Sequence, residues 1–293
     1  MTAPLIVTVD PPGDTSAPGM GLLASVSPEY PSGNWPEGVG WTEPTAGLYQ
    51  LVDPCDPDPD PFPDDSGTRP RLVVAQGVSF RTRFWQQGHL VGFDQVAAED
   101  FARNLSSAAI ARELWTGEGT RARPYRLPVA LGGATNQHNA YLADPATCST
   151  VGGTHSPAEA LALLDGLATR ALRGTRTPVL HCTPEVLAMA AQYLTKTGPV
   201  VRTINGSIVV ADAGYPGTGV DGAAGQWAYA TGPVGVRLAP ISTDPDPGST
   251  VEHQLNRRTV WAHRTFQVGF DSGCHLAIHV DLTLPTVTPP SGG

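Results

Sequence analysis

Glycines 217, 219 and 222 in Gly217-Thr218-Gly219-Val220-Asp221-Gly222 match the spacing of a dinucleotide-binding loop, and Gly214 precedes them. That chemistry needs a strand ending on the glycines and a helix opening behind them, because the free N–H groups of the helix start hold the pyrophosphate. The residues that follow, GAAGQWAYATGPVGV, have no 3.6-residue period. Gln226, Ala228 and Ala230 alternate with Trp227, Tyr229 and Thr231 as in a short strand closed by Gly232-Pro233. The expectation is a loop without a helix, in which Gly214, Gly217, Gly219 and Gly222 serve shape and bind no cofactor. An α/β enzyme using this loop is the alternative of a different class.

Other residues invite chemistry and fail on spacing. Asp53 to Asp65, DPCDPDPDPFPDD, carries enough carboxylates for calcium. Pro61 stands where an EF-hand needs its turn glycine, and the prolines favour a polyproline II rod whose carboxylates diverge. His275 and His279 are four apart in an alternating run, about 13 Å on a strand, too far to share a metal ion. His181 and Cys182 are strand neighbours on opposite faces, so the imidazole is badly placed to activate the thiol. GxSxG, HExxH and the phosphate-loop signature do not occur. No catalytic residue, metal site or cofactor is expected.

The elements around these residues follow from pattern. Asn205-Gly206 lies between the β-branched runs VVRTI and SIVVA, which predicts a hairpin with a type I′ turn. Asp94 starts a long helix stopped by Gly117, with Ala97, Phe101, Leu105, Ala108, Arg112 and Trp115 expected on its buried stripe. Ser156, Pro157 and Glu159 spell a capping box for a second helix ending at Gly174. PVLHC reads as a strand, and Thr183-Pro184 opens a third helix with Leu187, Ala190, Ala191 and Leu194 inward and Lys196 at its C-terminal end. Residues 71–87 alternate partly and, with the acidic rod, suggest a hairpin-like excursion. Val260 to Phe270 and Cys274 to Leu282 carry the clearest strand pattern, interrupted only by Arg264.

Composition narrows the classes. The chain has 293 residues, net charge −9, four scattered cysteines, and 17 arginines beside one lysine. An acidic chain is a poor fit to a groove tracking nucleic-acid phosphates, and cysteines without CxxC spacing point away from zinc and from a disulfide framework. A run of 18 or more apolar residues and a basic leader are both missing, so no membrane partner is expected. Residues 1–47 carry prolines every few positions and no period, so this segment is expected to lie on neighbours, and its removal to spare the fold.

Taken in order, a proline-rich arm, an extended excursion, a spine helix (AAEDFARNLSSAAIARELWTGEG), a segment PVLHCTPEVLAMAAQYL, the stretches RTINGSIVVADAGYP and WAYATGPVGVRL, and the closing RRTVWAHRTFQVGFDSGCHLAIHVDL resemble the major capsid proteins of tailed bacteriophages. Bacterial encapsulin shells share that fold. The resemblance implies an α+β, Hong Kong 97-like capsid fold. It assigns 1–47 to an N-terminal arm, 48–92 to an extended loop, 93–150 with 245–285 to a peripheral domain, 151–244 to an axial domain, and 286–293 to a C-terminal tail. It implies a virion subunit, not an enzyme, whose partner is itself in pentamers and hexamers. A portal, a scaffold or protease, decoration proteins and packaged double-stranded DNA would be neighbours. An encapsulin-like compartment and a minor or vertex virion protein are the alternatives within this fold. Some capsids of the family link subunits through a lysine on the extended loop; residues 48–92 hold none, so the contacts are expected to be non-covalent.

Overall fold

The structure is a computed structural model and describes residues 21–30, 39–42, 72–75, 77–87, 95–122, 141–244 and 257–283. The acidic stretch 53–65, Cys55 and the tail 286–293 lie outside the described residues. In chain order the elements begin with a one-turn helix α1 (Leu22–Ser25), β1 (Val39–Thr42), β2 (Leu72–Ala75) and β3 (Val78–Gln87). Then come α2 (Gln95–Thr116), α3 (Glu118–Ala122), β4 (Ser149–His155), α4 (Pro157–Ala171), β5 (Val179–Cys182) and α5 (Pro184–Ala190). The chain continues as β6 (Thr195–Thr197), β7 (Val200–Arg202), β8 (Ile208–Ala211), β9 (Gln226–Thr231), β10 (Val234–Leu238), β11 (Ser242–Asp244), β12 (Arg257–Phe270) and β13 (His275–Val280).

A mixed seven-stranded sheet, in the order β4-β13-β9-β5-β8-β7-β6, is covered on one face by α4 and α5. Leu161, Leu164, Leu180, Val186, Val209 and Ile278 fill that layer. The other face packs on α2, which in turn meets the sheet of β10, β12, β11 and β3. Trp115, Leu114, Ile110, Tyr229, Phe266 and Phe270 close this second core. Each such side chain contributes about 1.5–3 kcal/mol on burial. At 1.5 Å per residue α2 runs roughly 33 Å and serves both bodies as their common wall.

Alternation in β12 puts Val260, Ala262, Phe266 and Phe270 inward as the pattern predicts. Arg264 shares that buried face because its guanidinium is satisfied there: Nε donates to the Ala239 carbonyl at 2.8 Å and Nη1 to Ser106 Oγ at 3.2 Å. α2 ends at Gly117, which takes φ +60°, and the buried Glu113 carboxylate accepts the Gly119 and Thr120 N–H groups that open α3. α4 begins as expected, with Glu159 reaching back to the Ser156 N–H at 3.1 Å.

Five expectations need correction. The buried stripe of α2 is Ala98, Ala102, Ser106, Ile110 and Leu114 with Trp115; Phe101, Leu105 and Arg112 are exposed. Alanines and a serine let the helix approach two sheets closely, so the larger apolar set is turned outward. α5 stops at Ala190, Ala191 is exposed, and Lys196 sits in β6 between two β-branched threonines paired with β7, not at a helix end. Residues 78–87 do not close a hairpin with the preceding segment; β2 pairs with β1, and β3 pairs with β12 over ten residues. Strand pairing also regroups the chain: β10 and β11 join β12, whereas β13 joins β9 and β4, so 234–244 and 275–280 exchange bodies relative to the expected boundaries. Finally, the arm is not wholly outside the core. Leu22 is 0% exposed, and Glu29 exchanges backbone hydrogen bonds with Val236 and Leu238 on β10.

Candidate functional site

The glycine loop begins where β8 delivers Asp212, a buried carboxylate that organises three segments. Its Oδ1 accepts the Gly214 N–H at 2.9 Å, and its Oδ2 accepts the Leu22 N–H at 2.9 Å and the Ser107 hydroxyl at 2.7 Å. Asp-x-Gly is an Asx-turn signal, and it marks this residue in the sequence although the charge pattern does not. Gly214 lies so close to α2 that a Cβ would overlap the Ala108 carbonyl. Gly217 at φ +76° leaves no room beside Gln226, and a Cβ on Gly219 would meet the Trp227 ring.

The loop's hydrogen-bonding groups are spent inward. Thr218 O accepts the Trp115 indole N–H at 2.9 Å and the Tyr229 hydroxyl at 3.1 Å. The N–H groups of Gly219, Asp221, Gly222 and Ala223 donate to the carbonyls of Ala223, Ala143, Gly219 and Val220. A phosphate cradle requires those donors to be free. A three-residue 3-10 turn, Val220–Gly222, stands where an α-helix would have to open. Gly222 takes φ +76° with open space around it.

Asn205 and Gly206 do form a hairpin turn, of another type than expected. Thr203 accepts the Gly206 N–H at 3.0 Å and donates to the Ser207 carbonyl at 3.0 Å, so Ile204 and Asn205 are the central residues. Asn205 does not have positive φ, whereas Gly206 has φ +91°, the pattern of a three-residue loop with a glycine bulge, not a type I′ turn. The Asn205 amide donates to Asp165 on α4 at 2.9 Å, Ser207 Oγ donates to its other oxygen, and the Arg202 guanidinium donates to Gly206 O at 2.7 Å. That anchoring selects the bulge and leaves Ile204 at the tip, 92% exposed.

The remaining reactive residues are pinned singly. His181 is fully buried, hydrogen-bonded through Nδ1 to Tyr215 Oη at 2.9 Å and through Nε2 to Thr231 Oγ1 at 3.0 Å. Thr231 donates to Gly232 O, so the His181 Nε2 carries the proton and Nδ1 accepts from Tyr215. Burial, with His275 nearby, pushes its pKa down to about 3, and burial beside Asp212 raises Tyr215 well above its ordinary value. Cys182 faces the opposite core, and burial pushes its thiol up to about 12. His275 Nε2 bonds Leu142 O, whereas His279 bonds Thr154 and packs on Trp227. Among the described residues no cluster of three or more histidine, cysteine or acidic groups could hold a metal ion.

The outer surface is different in kind. Val96 on α2 is 63% exposed, and Tyr193, in the turn that follows α5, is 60% exposed. β6 and β4 are the outer strands of the large sheet, and β1 with β2 makes a two-stranded ribbon outside both larger sheets. On the solvent side of β12, Trp261 receives the guanidiniums of Arg81 and Arg83 from β3, at 4.4 and 5.6 Å from the ring centre. This cluster is not visible as a spacing motif, because strand pairing assembles it from distant segments.

No family model matches the sequence, and no curated protein matches it. Among solved structures the chain is similar to the mature capsid of bacteriophage PhiM1, with 13% identity, 97% of this chain and 93% of that chain covered, and TM-score 0.44. The capsid of a native GTA particle gives 9% identity, coverage of 94% and 98%, and TM-score 0.49. The holo-SrpI encapsulin complex from Synechococcus elongatus PCC 7942 gives 10% identity, coverage of 75% and 79%, and TM-score 0.44.

Proposed function

We propose that this chain is a major capsid protein that assembles with copies of itself into an icosahedral head shell around packaged double-stranded DNA of a tailed phage. The observation that carries the reading is the β1–β2 ribbon. Two strands alone are marginal in water, and among the described residues this pair hydrogen-bonds to neither larger sheet, β2 lying beside β12 without a ladder to it. The exposed Ile204, Tyr193 and Val96 and the outer strands β4 and β6 support the same reading, since unpaired strand edges and apolar tips are costly on a solitary subunit. The interior supports it from the other side: Asp212, Asp165, His181 and His275 are committed to structural hydrogen bonds and to one another's elements.

In this reading α2 is the spine of a peripheral body with β3, β10, β11 and β12. The seven-stranded sheet is the axial body, with the Ile204 turn at a tip of it and the loop from Gly214 to Gly222 assigned as the axial loop near the symmetry axis. Residues 1–47 are assigned to the arm and 48–92 to the loop reaching a neighbour. Pentamers and hexamers of the chain are the primary partners; portal, scaffold or protease, and decoration proteins follow from the same assignment, as does assembly in the host cytoplasm. Copies closing a shell satisfy such surfaces by heterologous, self-limiting contacts. Electron microscopy of the purified protein tests this: closed shells support it, and small particles under all assembly conditions contradict it. DNA inside native particles favours the phage head, and an enzyme cargo favours the nanocompartment.

A further inference from the structure

We propose that Asn205 is a latent self-modification site: a succinimide-forming Asn-Gly pair, latched by Asp165 of α4, whose conversion to isoaspartate releases the Thr203–Ser207 turn from that helix. No other asparagine of the chain precedes a glycine. The chemistry is intramolecular. The Gly206 backbone nitrogen passes its proton to solvent and attacks the Asn205 side-chain carbonyl carbon; the new N–C bond closes a succinimide, and the side-chain nitrogen takes up a proton and leaves as ammonia. Water then opens the ring at one of its two carbonyls, giving aspartate or isoaspartate, and neither oxidant nor cofactor is needed. Glycine suits the step because no Cβ crowds the closing ring, and at Gly206 nothing lies within 4 Å of where one would stand. Asn205 is exposed, so water reaches it.

The folded turn opposes this reaction at both reacting groups. The attacking nitrogen is engaged, since the Gly206 N–H donates to Thr203 O at 3.0 Å and must give up that bond to react. The amide is engaged too: Asn205 Nδ2 donates to Asp165 Oδ2 at 2.9 Å, which holds the side chain against α4. Asp165 cannot follow the amide if it turns. It is 2% exposed, its Oδ1 accepts the Ser207 hydroxyl, and Leu161, Leu164 and Ala168 fix its helix in the core. A hydrogen bond to a charged group that must break before the attack slows it about ten-fold or more.

The product cannot keep the latch. A carboxylate replaces the amide donor, so an acceptor-only group is set against the buried Asp165 carboxylate, and like charges repel where a hydrogen bond stood. Isoaspartate also inserts one extra carbon into the main chain of a turn whose ends are tied by the Thr203 and Ser207 backbone bonds. The turn therefore swings off α4 and carries Ile204, 92% exposed at its tip, with it. The proposal concerns one copy of the chain and stands apart from whether copies close a shell.

The test uses full-length protein held in mildly alkaline buffer, sampled over time and peptide-mapped by mass spectrometry, with isoaspartate read by enzymatic methylation. Asn205 should deamidate about ten-fold faster in the chain unfolded in guanidinium chloride than in the folded chain. Asp165→Ala, with circular dichroism unchanged, should bring the folded rate up towards the unfolded one, and adding Gly206→Ala should slow it again by crowding the ring. Equal rates in folded wild type and folded Asp165→Ala overturn the proposal. So does modification spread evenly over the other asparagines. If Asp165→Ala does not fold, exchanging the pair decides. Asn205→Asp carries the product's charge and should lower the thermal midpoint more than Asn205→Ala does; adding Asp165→Asn, which again sets one amide against one carboxylate, should recover most of the loss. Equal midpoints for Asn205→Asp and Asn205→Ala, or no recovery in the exchanged pair, overturn the proposal.

Discussion

The loop from Gly214 to Gly222 and the turn from Thr203 to Ser207 are both glycine-bearing connections on the same sheet, yet glycine does opposite work in them. At Gly214 and Gly219 the missing Cβ lets backbone touch a helix carbonyl and a tryptophan ring. At Gly206 nothing lies within 4 Å of a Cβ, and glycine is there for its φ of +91° alone. The first region is an internal clamp tying the Leu22 segment, α2 and β8 through Asp212. The second is an outward tip whose largest side chain, Ile204, meets solvent. The clamp belongs to folding, and the proposed function assigns the exposed tip to contact with other copies.

Substitutions separate the two. Gly214→Ala has the largest expected effect, because its methyl overlaps the backbone of α2 and no rotamer relieves it: a loss on the order of 3 kcal/mol or more, read as a fall in thermal midpoint. A wild-type melting curve would break the clamp account. Asp212→Ala comes next, at about 2–3 kcal/mol, since it leaves the Leu22 and Gly214 N–H groups unpaired in the core. Chemical denaturation should also show that removing residues 1–30 costs stability while removing 1–20 does not; equal curves would return Leu22 to a free arm.

Gly206→Val should cost about 1–3 kcal/mol through backbone strain, whereas Gly206→Asn should cost less, because asparagine tolerates the left-handed region. Equal losses for the two would point to packing and blur the contrast. His181 gives a smaller, pH-dependent effect. Its folded pKa of about 3 lies below the unfolded 6.5, so the unfolded chain binds the extra proton and stability falls as pH drops from 6.5 towards 3. His181→Gln should flatten that part of the stability–pH curve; an unchanged slope assigns the acid sensitivity elsewhere. Ile204→Ser should change stability by less than about 0.5 kcal/mol while impairing self-association. A stability loss like that of Asp212→Ala would move Ile204 into the fold.

What the sequence disclosed follows from how local each signal is. The capping residues of α4, the Gly117 stop of α2 and the alternation of β9 and β12 are written within a few residues, and the structure has them. The buried stripe of α2 differs from the one its periodicity predicts: between two sheets, Ala98, Ala102 and Ser106 fit where Phe101 and Leu105 do not. Asn205-Gly206 signalled a turn, but its type was set by Asp165, forty residues away on α4. Lys196 went to a strand because Thr195 and Thr197 pair with β7, which helix periodicity does not weigh. Asp212 carries an Asx-turn signal, but its partnership with Leu22 spans 190 positions and leaves no local trace.

The absence of lysine from residues 48–92 bears on how copies are held: boiling assembled particles in detergent and reductant should release one band near 30.6 kDa, and a covalent ladder would contradict non-covalent contacts. The central claim is that clamp and tip divide folding from assembly within a shell-forming subunit. Electron microscopy of wild-type and Ile204→Ser protein, both verified as folded by circular dichroism, tests it most directly. The account predicts closed icosahedral shells for the wild type and folded, smaller particles for the variant; a wild type that stays a dispersed monomer under every assembly condition would contradict it.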